Sequence, residues 1–206
     1  MKNLLQKLKA IEQKYKLTAL REVGIFMLIT IIVHFLYRLW ANHYDHRLFG
    51  IQIITPAVFN FFSDILFYPS KWINEHIFGL SFTVENRDMY FNSGNVQDNY
   101  KALGWIGVHP SCSGLKQFLQ FIILMMLYPG PWKKKLWFIP LGVLLIYLTN
   151  IIRIVGLSLI IVEWSNQYYY KFSHDYIFRP FFYVVIFGLW VYWVEKIKKK
   201  APLKEL

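Results

Sequence analysis

Unbroken apolar runs constrain this chain more than any other feature. Gly24 to Trp40, Leu136 to Glu163 and Tyr176 to Glu195 hold stretches of the length needed to cross a hydrocarbon core, which takes about 20 helical residues. Ser113 to Tyr128 forms a fourth, shorter run bounded by polar residues at its start and tyrosine at its end. Ile51 to Tyr68 is apolar too, but Pro56, Asn60, Ser63 and Asp64 interrupt it, so an interfacial or re-entrant helix is expected there. With 56% hydrophobic and 19% aromatic residues, the chain reads as an integral membrane protein and not as a soluble domain. The expected fold is an all-α polytopic membrane protein of about four transmembrane helices, one interfacial or re-entrant helix and a small external β-hairpin. The hairpin is expected between Leu80 and Val108, from alternation at Phe82 and Val84, a turn at Asn92-Ser93-Gly94-Asn95 and a second apolar stretch at Leu103 to Val108.

Charge placement orients these helices. Six Lys and Arg residues fall within residues 1–22, three at Lys133-Lys134-Lys135 and five between Lys196 and Lys204, which is 14 of the 23 in the chain. Basic residues gather in cytoplasmic loops, so the three segments belong on one side and the net charge of +11 needs no nucleic acid to explain it. Residues 1–22, with Lys2, Lys7, Lys9, Lys14 and Lys16 among Leu and Ile, are expected to form a basic amphipathic helix on an anionic membrane surface. No Ala-x-Ala site follows the first apolar run, so that span is expected to stay as a signal-anchor. A membrane-embedded domain over residues 23–195, with an external loop at 41–111, and a basic cytoplasmic tail at 196–206 complete the division. Both termini are then expected in the cytoplasm of a bacterial cell, with the protein multi-pass in the cytoplasmic (inner) membrane.

This path brings three chemistry-bearing residues to the outer side. Cys112 is the only cysteine, so it forms no internal disulfide, and the run His109-Pro110-Ser111-Cys112-Ser113-Gly114 places it where a helix is expected to start. A thiol there is exposed to the helix dipole and to unpaired N–H groups, the common setting of a reactive cysteine. Arg153 lies 17 residues beyond Leu136, about 26 Å along the outgoing helix, near its outer end. Arginine inside an apolar helix normally faces protein or water and marks a site, and Asn150 and Gly156, at i−3 and i+3, give it a narrow face directed into the bundle. His174, just before the last span, falls at the same level.

The Pro-Ser-Cys-Ser-Gly run over 110–114, Asn150-Ile-Ile-Arg153 and His174 together resemble the exosortase/archaeosortase family of membrane-embedded sorting enzymes, over roughly residues 105 to 190. The short chain and lysine-flanked ends look most like the compact exosortase F type. The resemblance implies a cysteine protease or transpeptidase that cuts C-terminal sorting signals from exported proteins at the outer face, with transfer to a surface carrier favoured over hydrolysis. It implies Cys112 as nucleophile, His174 as base and then acid, and Arg153 as oxyanion or substrate holder, aided by the backbone N–H groups of Ser113 and Gly114. Asp175 is a candidate to orient His174, Asn150 to hydrogen-bond Arg153, and His109 an alternative base. The expected partners are exported proteins with one C-terminal span and a basic tail, together with membrane lipid. No cofactor is expected, and His34, His43, His46 and His76 lack metal-ligand spacing. Two rival readings remain open: an enzyme acting on lipid-linked phosphates through Arg153, Lys116 and His174, and a non-enzymatic assembly protein. Neither rival needs the thiol.

Overall fold

The computed structural model describes residues 18–42, 55–93, 101–109 and 112–198. The basic segment up to residue 17, His43 and His46, the Gly94-Asn95 half of the expected turn, Pro110 and Ser111, and the tail from residue 199 lie outside them. The elements run α1 (Thr18–Asn42), α2 (Thr55–Trp72) with a π-helical turn (Ile73–Ile77), β1 (Phe82–Glu85), β2 (Asp88–Ser93), β3 (Lys101–Gly107), α3 (Leu115–Leu127) and α4 (Trp132–Trp164). A short α5 (Gln167–Phe172), a π-helical segment (Ser173–Phe178), α6 (Arg179–Tyr192) and a final π-helical segment (Trp193–Lys198) follow as one almost continuous rod.

Three stretches are long and apolar enough to cross a membrane: Leu20–Leu39, Trp132–Trp164 and Tyr168–Lys198. The chain is a helical, multi-pass membrane protein. The fourth expected span is shorter than its apolar run: α3 has 13 residues, about 20 Å, whereas α4 has 33, about 50 Å. Helix α3 is thus shorter than the about 20 residues a crossing takes, and α4 extends well past it.

One end of the bundle is tied by a buried polar cluster. Glu22, near the start of α1, accepts hydrogen bonds from Lys198 at 2.8 and 2.9 Å, from Arg21 at 3.2 Å and from the Tyr128 hydroxyl just after α3. Lys135, in the first turn of α4, donates to the carbonyls of Met126 (3.1 Å) and Tyr128 (2.7 Å), filling acceptors that the end of α3 leaves free. Lys135 is thus buried as a cap and not solvated with Lys133 and Lys134. The starts of α1 and α4 and the ends of α3 and the last rod meet here, which is the alternation of direction that the charge pattern predicts.

Two cores share α4. The first, near this tied end, packs Phe26, Phe118, Phe121, Leu124, Phe138, Ile146, Phe182, Trp190 and Trp193 between α1, α3, α4 and α6. Between helices in lipid, close packing holds such residues together because lipid tails are as apolar as they are. The second core sets Leu66 and Phe67 of α2, Met89, Phe91 and Ile106 of the sheet, and Ile151, Ile154, Leu157 and Ile161 on the far half of α4. Strand positions Thr83 and Glu85, on the opposite face from the buried Met89 and Phe91 side, are exposed and polar.

Helix α2 runs alongside that far half of α4, from Ile65 opposite Tyr147 to Asn74 opposite Ser158. Pro69 cannot donate to the Ile65 carbonyl one turn earlier, and the Tyr147 hydroxyl supplies the missing donor at 3.0 Å. Asn74 donates to the Ser158 hydroxyl at 2.9 Å.

The external β-hairpin is present, extended by a third strand. The antiparallel order is β1-β2-β3, with Phe82 opposite Phe91 and Tyr90 opposite Trp105. The first turn is Asn86-Arg87, both with positive φ (47° and 72°), the two-residue geometry that matches strand twist. Arginine seldom adopts that conformation. Here its side chain reaches Asp64 of α2 at 2.6 and 3.2 Å, and its carbonyl accepts from Val108 at 3.1 Å, fixing the sheet on α2.

Candidate active site

The site forms where the two cores meet, at the end of the bundle opposite Glu22. Cys112 opens the short turn 112–114, its N–H donating to the His109 carbonyl at 2.8 Å, and α3 begins three residues later at Leu115. The thiol therefore precedes the helix instead of lying in its first turn. The turn depends on Gly114, whose φ is +74°. A Cβ there would collide with the Asn150 amide nitrogen, so the loop is pressed directly onto α4. Ser113 is fully buried and its hydroxyl accepts from the Leu115 N–H at 3.4 Å, giving the helix start one of the acceptors it lacks.

Arg153, 8% exposed, donates from Nη2 to the Cys112 carbonyl at 2.6 Å, and its guanidinium lies 5.2 Å from the Phe182 ring centroid. Among the described residues no carboxylate pairs with it; a carbonyl dipole and a ring face are its direct contacts. The face that its spacing predicts is present. Asn150 meets Gly114 on one side, and a Cβ at Gly156 would fall 2.6 Å from Phe178 on the other, so α4 admits the Cys112 loop and the last rod at close range.

His174 lies in the π-helical segment between α5 and α6. Single π turns inside helices recur at functional sites because they re-aim side chains. Nδ1 is 2.9 Å from Asp175 Oδ1. A carboxylate only accepts, so Nδ1–H is the donor and Nε2 is the ring nitrogen left for Cys112, whose side chain is close enough to interact with His174. Adjacent residues in an ordinary α-helix point well apart; the widened turn lets this pair meet. Asp175 Oδ1 also receives Arg179 at 3.3 Å, one turn on.

Cys112, Arg153, His174 and Asp175 are thus brought together, with Ser113 and Gly114 forming the loop that carries the thiol. Asn150 is placed beside them but does not hydrogen-bond Arg153: it is fully buried, and neither amide atom has a partner among the described residues. His109 is turned away toward the sheet, with Nε2 3.2 Å from Asp88. His76 stacks on Trp72 and is exposed.

Sequence reasoning missed three neighbours. Tyr170 stacks on the His174 ring with centroids 6.0 Å apart, Phe182 lies against Arg153, and Arg179 holds Asp175. Tyr170 is four residues before His174 and Arg179 four after Asp175, so helical spacing carries a signal for both.

A family model described as transmembrane exosortase matches residues 75–191, which is more than half of the chain and takes in the sheet, Cys112, Asn150, Arg153 and His174. Comparisons with curated proteins and with solved structures find no match. The matched segment carries the whole of the site just described, and the chain belongs to the transmembrane exosortase family.

Proposed function

We propose that this protein is a membrane-embedded cysteine transpeptidase that removes C-terminal sorting signals from exported proteins. The observation that carries the reading is Asp175 hydrogen-bonded to His174, with His174 close to the Cys112 side chain and Arg153 bound to the carbonyl of the same cysteine. Nucleophile, base and orienting carboxylate are the parts of a thiol-based acyl transfer.

In the first half-reaction His174 Nε2 takes the thiol proton as Cys112 Sγ bonds to the scissile carbonyl carbon. The carbonyl oxygen becomes an oxyanion, and Arg153 supplies a buried positive charge for it. Collapse breaks the C–N bond, His174 returns the proton to the leaving amine, and a thioester remains on Cys112. In the second half an amine on a surface carrier, or water, attacks the thioester; His174 accepts its proton and the thiolate leaves. Asp175 holds His174 by its Nδ1–H throughout, keeping Nε2 toward the sulfur.

The substrate is an exported protein tethered by one C-terminal span with a basic tail, cut just outside that span on the outer face of the bacterial inner membrane. The test is processing of such a protein in cells, comparing wild type with Cys112→Ala, Arg153→Ala and His174→Ala at equal membrane expression. Loss in all three supports the reading; wild-type processing by Cys112→Ala refutes it.

A further inference from the structure

Strand β3 is the last of the sheet, so one of its backbone edges has no strand partner. Along it runs a cavity of about 410 Å³, bounded by Leu103, Gly104 and Trp105 of β3, Ile161 of α4, Ser165 and Tyr170. This trough has the volume of peptide and small-molecule sites. A second cavity of about 430 Å³ adjoins it at Leu103 and Ser165 and lies across the end of the sheet, toward Asn92 of β2, Gly79 and Ser81. The strand lies close against α4, since a Cβ at Gly104 would be 3.0 Å from Ile161. Tyr170 is common to the trough and the site. It lines the first cavity, stacks on His174 at 6.0 Å, and lies within charge-interaction reach of both Cys112 and Arg153.

We infer that this trough binds the residues on the amino-terminal side of the scissile bond, as an extended segment added to the edge of β3. The inference rests on the transpeptidase reading above and assigns the part of the substrate that the site holds. The direction follows from the fold. The Arg153 backbone lies 11 residues, about 17 Å, below the end of α4 where Ser165 lies, and Tyr170 bridges the site to the trough above it. A substrate whose span continues down into lipid must leave the thiol upward on its amino-terminal side, past Tyr170. The lining fixes the ligand class: Trp105 and Tyr170 rings, Leu103 and Ile161, with Ser165 and Asn166 as uncharged polar contacts and no charged side chain among the lining residues. An uncharged extended peptide fits, held by main-chain hydrogen bonds to the strand edge with side chains packed on the rings. Because this segment is the acyl part, it stays in the trough when the thioester forms.

The test uses the full-length protein in membranes and, as probe, a co-expressed exported protein with a single C-terminal span and basic tail. A photo-cross-linking residue is placed at Trp105, at Tyr170 or, as a remote control, at Trp137, each in the Cys112→Ala background so that capture needs no turnover. The expected result is capture at 105 and 170 but not at 137, mapping to the residues just before the span. In parallel, Trp105→Ala with Cys112 intact raises the substrate level for half-maximal processing about tenfold with the maximal rate little changed. Capture at 170 with none at 105 and an unaltered half-maximal level for Trp105→Ala overturns the trough and leaves the transpeptidase standing. Capture at 105 without any processing by wild type retains the trough as a peptide site and removes the transpeptidase. Capture at neither position overturns the trough.

Discussion

Arg153 donates to the backbone carbonyl of Cys112 at 2.6 Å, so the positive charge is fixed to the residue that carries the proposed nucleophile and not to a neighbouring side chain. A guanidinium has further N–H groups beyond the one used, and these can face an oxyanion while the loop stays anchored. Lysine has one compact ammonium on a different stem and does not do both. Arg153→Lys and Arg153→Ala are both expected to lower processing by about a hundredfold or more. The check is the rate of substrate processing at matched expression; near-normal activity in Arg153→Lys would reduce the role to charge alone.

Asp175 meets His174 across a π-helical turn at 2.9 Å. Asp175→Asn replaces an acceptor-only group by an amide that presents a donor in some orientations, so the ring loses its fixed tautomer. Processing should fall about ten- to a hundredfold, while alkylation of Cys112 by iodoacetamide still occurs because the thiol remains in place. A rate equal to wild type would show that the contact is incidental.

Gly114 and Asn150 should behave as a coupled pair. Gly114→Ala drives a Cβ into the Asn150 amide and also strains a backbone at φ +74°. Removing the amide in Gly114→Ala/Asn150→Ala leaves only the left-handed cost, about 1 to 2 kcal/mol. Thermal unfolding in detergent should therefore show a large loss for the single Gly114→Ala variant and a partial recovery in the double variant. Additive losses would contradict the contact.

At the opposite end, Glu22 joins α1 to Tyr128 and Lys198. Glu22→Ala strands the Lys198 ammonium and the Tyr128 hydroxyl with less compensation, a cost of about 1 to 3 kcal/mol. A lower unfolding temperature is expected, together with unchanged iodoacetamide labelling of Cys112, since the thiol lies at the other end of the bundle. Altered labelling would indicate that the two ends are coupled.

Much of this architecture is legible from period, length and charge. The spans follow from apolar runs, their alternation from Lys and Arg placement, and the inward face of Arg153 from Asn150 and Gly156 at helical spacing. The departures occur where local backbone geometry overrides pattern. The Cys112 run reads as a helix start, yet Gly114 takes a left-handed conformation because α4 presses on it, and this pushes the first helical residue to Leu115. The Asn86-Arg87 turn is hidden because arginine is a poor turn residue, tolerated here through its ion pair with Asp64. Asp175 reaches His174 only because the helix widens, a feature that no side-chain spacing announces. Lys135 looks like its two solvated neighbours until the end of α3 is packed against it.

The most direct test of the central claim is to look for the thioester itself. Membranes holding the protein and an exported substrate with a C-terminal span and basic tail are solubilised, and the mass of the protein is measured before and after neutral hydroxylamine, for wild type and Cys112→Ala. The account predicts a covalent species in wild type that carries the amino-terminal part of the substrate on Cys112, is released by hydroxylamine and is absent from Cys112→Ala, which leaves the substrate uncut. Substrate cut at the normal rate by Cys112→Ala, with no hydroxylamine-sensitive species in wild type, would contradict it.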